Sequence, residues 1–183
     1  KSAVAAEQAA QQEMGELLRI RRDKLAALQQ EDKNPFAITK YPVDHYAAHI
    51  KEEFAGIANE EETGKVVRLG GRLMSKRLMG KASFADLRDS TGDIQLYVRR
   101  DNVGEEEYAA FKKFDIGDVV GVEGEIFRTK MGEISIKVEK IQLLSKSLRP
   151  LPEKWHGLKD TDLRYRQRYV DLIVNPEVKD TFI

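Results

Sequence analysis

The spacing of apolar residues changes along the chain. Over residues 8–31, Met14, Leu18, Leu25 and Leu28 keep near-heptad spacing with Arg19, Arg21, Arg22 and Lys24 between them, which predicts an amphipathic helix. Asn34-Pro35 predicts its end. A second helix is predicted after Pro42, with Asp44 as N-cap and Tyr46, Ile50, Phe54 and Ile57 on one stripe. Residues 59–64, NEEETG, read as a linker. The period then drops from about 3.6 to about 2. Val67, Leu69 and Leu73 alternate with Arg68, Arg72 and Lys76. Two more strands lie in GKASFADLRDSTGDIQLYV, residues 80–98. Ala85 and Leu87 share a face with Ile94, Leu96 and Val98 across the turn DSTG, residues 89–92. Residues 104–114, GEEEYAAFKKF, predict a short helix with acids in its first turn and lysines in its last, the arrangement its dipole favours. A fourth strand follows with Val120, Val122 and Ile126 inward. After a turn at Met131-Gly132 comes a fifth, with Ile134, Ile136 and Val138 inward.

Three strands, a helix and two strands is the order of an OB-fold. The predicted class is mainly β: a five-stranded OB-fold Greek-key barrel over residues 65–145, after an N-terminal helical extension at 1–64. An immunoglobulin-like sandwich would need more strands and no helix in mid-domain. RPLPEKWHG, from Arg149, reads as an ordered linker, and the stretch from Leu158 to Ile183 as charged and helical. Phe182 and Ile183 end it without a following partner. Residues 146–183 are therefore expected to be a linker and the start of a C-terminal α+β domain, the chain being the front part of something longer.

Composition narrows the function classes. With 183 residues, 41% hydrophobic and 34% charged, the chain can bury a core, and wholesale disorder is excluded. The absence of cysteine removes disulfides, zinc-thiolate sites and thiol nucleophiles. No apolar run of about 18 residues is available to span a membrane. The N-terminus lacks a signal-peptide core, so a cytoplasmic location is expected. The zero net charge is unevenly placed. Residues 1–64 hold 8 Lys and Arg against 12 Asp and Glu, a balance of −4, while residues 65–88 hold 7 against 1, a balance of +6. Such a local field attracts phosphate, although a solvated strand face would look the same. His45 and His49 are spaced for one helix face, but no third ligand accompanies them, and His156 stands apart. No Gly-rich phosphate loop, Ser/His/Asp set or pair of acids in an apolar setting is present, so no catalytic residue and no metal ligand are assigned.

The outward face of strands 2 and 3 carries the chemistry. Phe84, Arg88, Gln95 and Tyr97 would make a poor core there. Single-stranded nucleic acid offers flat bases, and stacking one on an exposed aromatic contributes about 1–3 kcal/mol. Gln95 has both a donor and an acceptor for a base edge. Arg77 and Arg88 can grip a carbonyl or phosphate in a planar fork. Phe84 would stack, Gln95 read and Arg88 clamp. Glu133, beginning strand 5 beside the same mouth, could accept from a base amino or imino group, or simply be a solvated turn acid. Arg99 and Arg100 read as solvating charges. The plain alternative for Phe84 is packing beneath the mid-domain helix or a loop.

GGRLMSKRLMGKASFADLRDSTGDIQLYV resembles the anticodon-binding barrel of class II aminoacyl-tRNA synthetases of the aspartyl, asparaginyl and lysyl subgroup. The match falls on Gly71, Arg72, Arg77, Gly80, Lys81, Phe84, Leu87, Arg88, Asp89, Gly92, Ile94 and Gln95. ELLRIRRDKLAALQ, NPFAITKYPVDHYAAHI and LRPLPEKWHGLKDTDLRYRQRYVDLI resemble the bacterial lysyl-tRNA synthetase family. The resemblance implies a homodimeric, ATP- and Mg²⁺-dependent ligase joining lysine to its tRNA. It places the stacking ring on Phe84, the base reader on Gln95 and the basic partner on Arg77, all against the central uridine of the anticodon. Arg88, Lys81 and Glu133 complete the expected anticodon set, and Arg19, Arg21, Arg22 and Lys24 are expected on the tRNA backbone. The family's F-R-x-E and G-x-G-x-G-x-x-R motifs are absent, so the ATP, Mg²⁺ and lysine sites are expected outside these residues, which alone should bind tRNA without catalysing. The competing readings are a free-standing single-strand-binding OB protein and a synthetase of aspartyl or asparaginyl type.

Overall fold

The computed structural model describes residues 2–152, 161–175, 178 and 181. The calls on Trp155, His156, Phe182 and Ile183 lie outside them.

Helix α1 spans Ser2–Gln30. It closes where Asp32 adopts a left-handed backbone, φ 56°, and Lys33 N–H donates back to the Leu28 carbonyl at 2.8 Å. A single 3₁₀ turn, Pro35–Ala37, follows, its amide at Phe36 donating to Asn34 Oδ1. Helix α2 is Ala47–Glu53. Asp44 does not cap it: its carboxylate accepts from Arg68 N–H at 2.8 Å and from His45 Nδ1 at 2.6 Å. The first amides of α2 go instead to the distant DSTG turn, Ala47 to Asp89 Oδ2 at 2.7 Å and Ala48 to Thr91 Oγ1 at 3.0 Å. The same Asp89 accepts from Thr91 and Gly92 N–H, so one aspartate shapes the turn and anchors the helix.

Five strands follow: β1 Glu62–Met79, β2 Ala82–Arg88, β3 Asp93–Arg99, β4 Val119–Arg128 and β5 Ile134–Ser145. They close into a barrel in the order β1-β2-β3-β5-β4, with only the β3–β5 pair parallel. NEEETG is less of a linker than its composition suggests. Glu60 N–H donates to the Arg128 carbonyl, Arg128 N–H returns to Glu61, and Glu62 already opens β1. Every side chain expected inward is buried: Val67, Leu69 and Leu73, then Ala85 and Leu87, Ile94, Leu96 and Val98, Val120, Val122 and Ile126, Ile134, Ile136 and Val138. Between β3 and β4 lie α3, Arg100–Val103, and α4, Glu105–Lys113. α4 turns Phe111 and Tyr108 into the core, where Tyr108 shares a hydrogen bond with buried Ser83 at 2.7 Å.

One irregularity sets which side chains β1 turns outward beside β2. Between Leu73 and Ser75 the β1–β2 register slips by one residue, a β-bulge. Strict alternation from Leu73 would send Arg77 inward and Lys76 out. After the bulge, Lys76 pairs with inward Ala85, and Arg77 pairs with Phe84. Lys76, expected on the outer face, thus reaches the end of α4 and donates to the Phe111, Lys112 and Phe114 carbonyls. It caps the helix where the dipole favours a cation.

The chain divides into two compact units, Lys1–Leu148 and Arg149–Ile183. α1 and the barrel share the first. In the second, helices Thr161–Arg166 (α5) and Arg168–Val174 (α6) converge on buried Asp171, which accepts from Arg164, Arg168 and Asn175.

Candidate nucleic-acid interface

The outward face of β2 and β3 is an aromatic and polar platform. The Phe84 and Tyr97 rings are cross-strand partners, stacked with centroids 4.9 Å apart and planes 30° off parallel. Tyr97 in turn meets Phe127 of β4 at 5.8 Å. Phe84 is half-buried and does not join the core. Tyr97 covers one side of the ring.

On the other flank of Phe84 lies Arg77, exposed and without a hydrogen bond or ion pair among the described residues. Lys81 is exposed at the β1–β2 turn. Gln95 stands one cross-strand row from Phe84. Its Oε1 accepts from the Ser135 hydroxyl at 3.0 Å. With that oxygen engaged, the amide N–H₂ has no partner among the described residues. Ser135, fully buried although alternation places it on the outer face between Ile134 and Ile136, was not singled out in the sequence.

Other expected residues are occupied. Arg88 forms a two-point ion pair with Asp93, its cross-strand partner, at 2.5 and 2.8 Å. That hydrogen bond holds the guanidinium pKa above its ordinary value. Arg88 is therefore a brace of the β2–β3 hairpin before it can be a clamp. Glu133 accepts from Lys51 of α2 at 3.1 Å and stays exposed. Beside it Met131 projects from the β4–β5 turn, 91% exposed.

The four cations of α1 divide in two. Arg21 is only 8% exposed; it donates to the Ser147 carbonyl at 2.8 Å and to that of Ile116 at 3.1 Å. Lys24 pairs with Asp115 at 2.7 Å. These two fasten the helix to the barrel. Arg19 and Arg22 remain exposed. Lys146, 5% exposed, completes the fastening with Asp115 at 2.5 Å and Asp118 at 2.8 Å. Burial alone would raise the Asp115 pKa, but hydrogen bonds from Lys146 and Lys24 hold it below the usual carboxylate range.

Residues 67–144 match the family model for the OB-fold nucleic acid binding domain that bears the name tRNA anti-codon. The OB-fold chain is also similar, almost end to end, to lysine–tRNA ligases. It is 57% identical over 179 residues to that of Clostridium perfringens (strain ATCC 13124), covering 98% of this chain and 34% of the relative. To that of Thermoanaerobacter sp. (strain X514) it is 55% identical over 172 residues, 94% of this chain and 34% of the relative. The ligase of Syntrophomonas wolfei is 55% identical over 170 residues, 93% of this chain and 33% of its own length. The chain thus spans about a third of the length of the curated relatives it matches. Among the described residues no group of His, Asp or Glu is arranged to hold a metal ion, and no helix is long and apolar enough to cross a membrane.

Proposed function

We propose that the barrel binds the anticodon loop of a lysine-accepting tRNA, as part of a cytoplasmic lysine–tRNA ligase. The observation that carries this reading is the outward Phe84 ring, backed by Tyr97 and flanked by Arg77 and Gln95, in a chain similar to such ligases. A base stacks on the free face of Phe84, the Gln95 amide donates to its edge, and Arg77 and Lys81 meet the phosphates or a carbonyl beside it. Glu133, held by Lys51, borders the next nucleotide. Arg19 and Arg22 add phosphate contacts from α1. Lysine activation with ATP and Mg²⁺, and a homodimeric assembly, are assigned to the length of the relatives that this chain does not span.

The test is binding of anticodon stem-loops with U or C at the middle position. Phe84→Ala should weaken both loops by about 1–3 kcal/mol. Gln95→Ala should weaken the U loop more than the C loop, whose edge exchanges an acceptor for a donor. Circular dichroism and melting establish first that both variants fold. If Phe84→Ala binds like wild type, the platform reading fails. Equal affinity of wild type for any single strand would favour a general single-strand binder instead.

A further inference from the structure

Asp86 is the one acid among residues 65–88, which carry seven Lys and Arg. It lies on β2 two residues from Phe84 and on the same outward face. In register it stands between Ser75 of β1 and Gln95 of β3. The Ser75 hydroxyl donates to Asp86 Oδ2. Asp86 Oδ1 has no hydrogen bond among the described residues. From the opposite end of the row, the Ser135 hydroxyl donates to Gln95 Oε1 at 3.0 Å. The row Ser75, Asp86, Gln95, Ser135 is thus fixed by a hydroxyl at each end. In its middle an acceptor oxygen and a donor nitrogen stand as cross-strand neighbours, beside the ring proposed to stack the base.

We propose that Asp86 is a specificity-determining residue, accepting the N3–H of a uridine stacked on Phe84 while Gln95 N–H₂ donates to the adjacent carbonyl. The proposal rests on the anticodon-binding reading above. Uracil presents a carbonyl acceptor beside an imino donor, the complement of that pair. Cytosine in the same pose sets its N3 lone pair against the carboxylate and its amino group against the Gln95 donors. Both groups of the protein would then be desolvated and unpaired, which costs more than a bond merely missing. Direct recognition also accounts for an acid in so basic a stretch. On charge alone a carboxylate repels the phosphate backbone and weakens every RNA alike.

That opposition of sign makes the test decisive. The 183-residue chain and its Asp86→Ala and Asp86→Val variants are titrated with three anticodon stem-loops, carrying U, 3-methyluridine or C in the middle. Valine favours the strand and keeps a fold readout should alanine loosen it. Wild type should prefer U to both other loops. Each variant should bind the U loop about tenfold or more weakly, the loss expected of a hydrogen bond to a charged group. It should bind the C loop unchanged or tighter, and no longer distinguish U from 3-methyluridine. Variants that tighten on all three loops alike would make Asp86 a spectator charge and overturn the proposal, as would a persisting N3-methyl penalty. If wild type ignores the middle base and Phe84→Ala changes nothing, the anticodon reading itself falls, and this inference with it.

Discussion

Two clusters of cations sit within residues 1–148, and they are used in opposite ways. Arg21, Lys24, Lys76 and Lys146 surround the Asp115–Asp118 turn and the end of α4, where carboxylates and main-chain carbonyls take up their hydrogens. Arg77 and Lys81 stand exposed beside Phe84, and Arg77 has no partner among the described residues. By sequence Arg21, Lys24, Arg77 and Lys81 all look like RNA-binding charge. What separates them is whether a carboxylate or carbonyl is within reach. A cation whose donors are satisfied internally can leave for a phosphate only by giving up a bond already made. Basic residues therefore predict an RNA contact only after the internal acceptors have been counted.

Removing the acceptor of the inner cluster should give the largest effect. Asp118 is fully buried, accepts from Lys146 and takes the amides of Asp115 and Ser147. Asp118→Ala leaves Lys146 buried with a weakened set of partners, a loss of about 3–5 kcal/mol where buried pairs are broken. Urea unfolding measures it. A cost below about 1 kcal/mol, typical of surface pairs, would dissolve the distinction between the clusters.

The inner cluster also carries its own pH signature. The Asp115 carboxyl is held below its ordinary value, so the stability it contributes is complete above the unfolded-state pKa of about 3.9 and is lost as pH falls through the lower folded value. The urea midpoint should therefore drop on acidification in that window. In Lys146→Met the drop attributable to Asp115 should shrink, since the main hydrogen-bond donor is gone. An unchanged acid limb would mean that other carboxylates set it.

Smaller still is the contrast between two arginines of the outer face. Arg77→Ala should lower anticodon-loop affinity by about 1–2 kcal/mol, the scale of a charge-assisted contact, and leave the melting temperature unchanged. Arg88→Ala breaks the bond to Asp93 and should shift stability by about 0.5–1 kcal/mol, with the lesser effect on binding. The reverse pattern would restore Arg88 as the clamp.

The barrel was legible because its evidence is periodic: alternation marked every buried apolar strand side chain from Val67 to Val138. Phe84 and Gln95 were legible as misfits within that alternation. What the period could not carry was its own interruption. The bulge after Leu73 exchanges the faces of Lys76 and Arg77, and nothing in RLMSKRL announces it. Arg21 and Arg22 are adjacent and chemically alike, yet only the fold decides that Arg21 meets Ile116 and Ser147 while Arg22 meets solvent. Asp44 has the chemistry of an N-cap, but the acceptors for α2 come from Asp89 and Thr91 some forty residues on. Long-range hydrogen bonds of this kind leave no local spacing to read.

The smallest effect tests the comparison within one helix. Each phosphate contact releases counterions, so its loss lowers the slope of log K against log salt by about 0.7–0.9. Arg19→Ala and Arg22→Ala should each flatten the slope by about that amount for cognate and non-cognate tRNA alike, because backbone contacts carry no sequence. Neither should change stability by more than about 0.5 kcal/mol, as both are exposed. Arg21→Ala should do the opposite. It removes bonds to the Ile116 and Ser147 carbonyls and destabilises the fold, yet the slope should hold in the protein that stays folded. Filter binding at four salt concentrations, with melting in parallel, separates the outcomes. A flattened slope in Arg21→Ala at full folding would return that residue to the RNA surface.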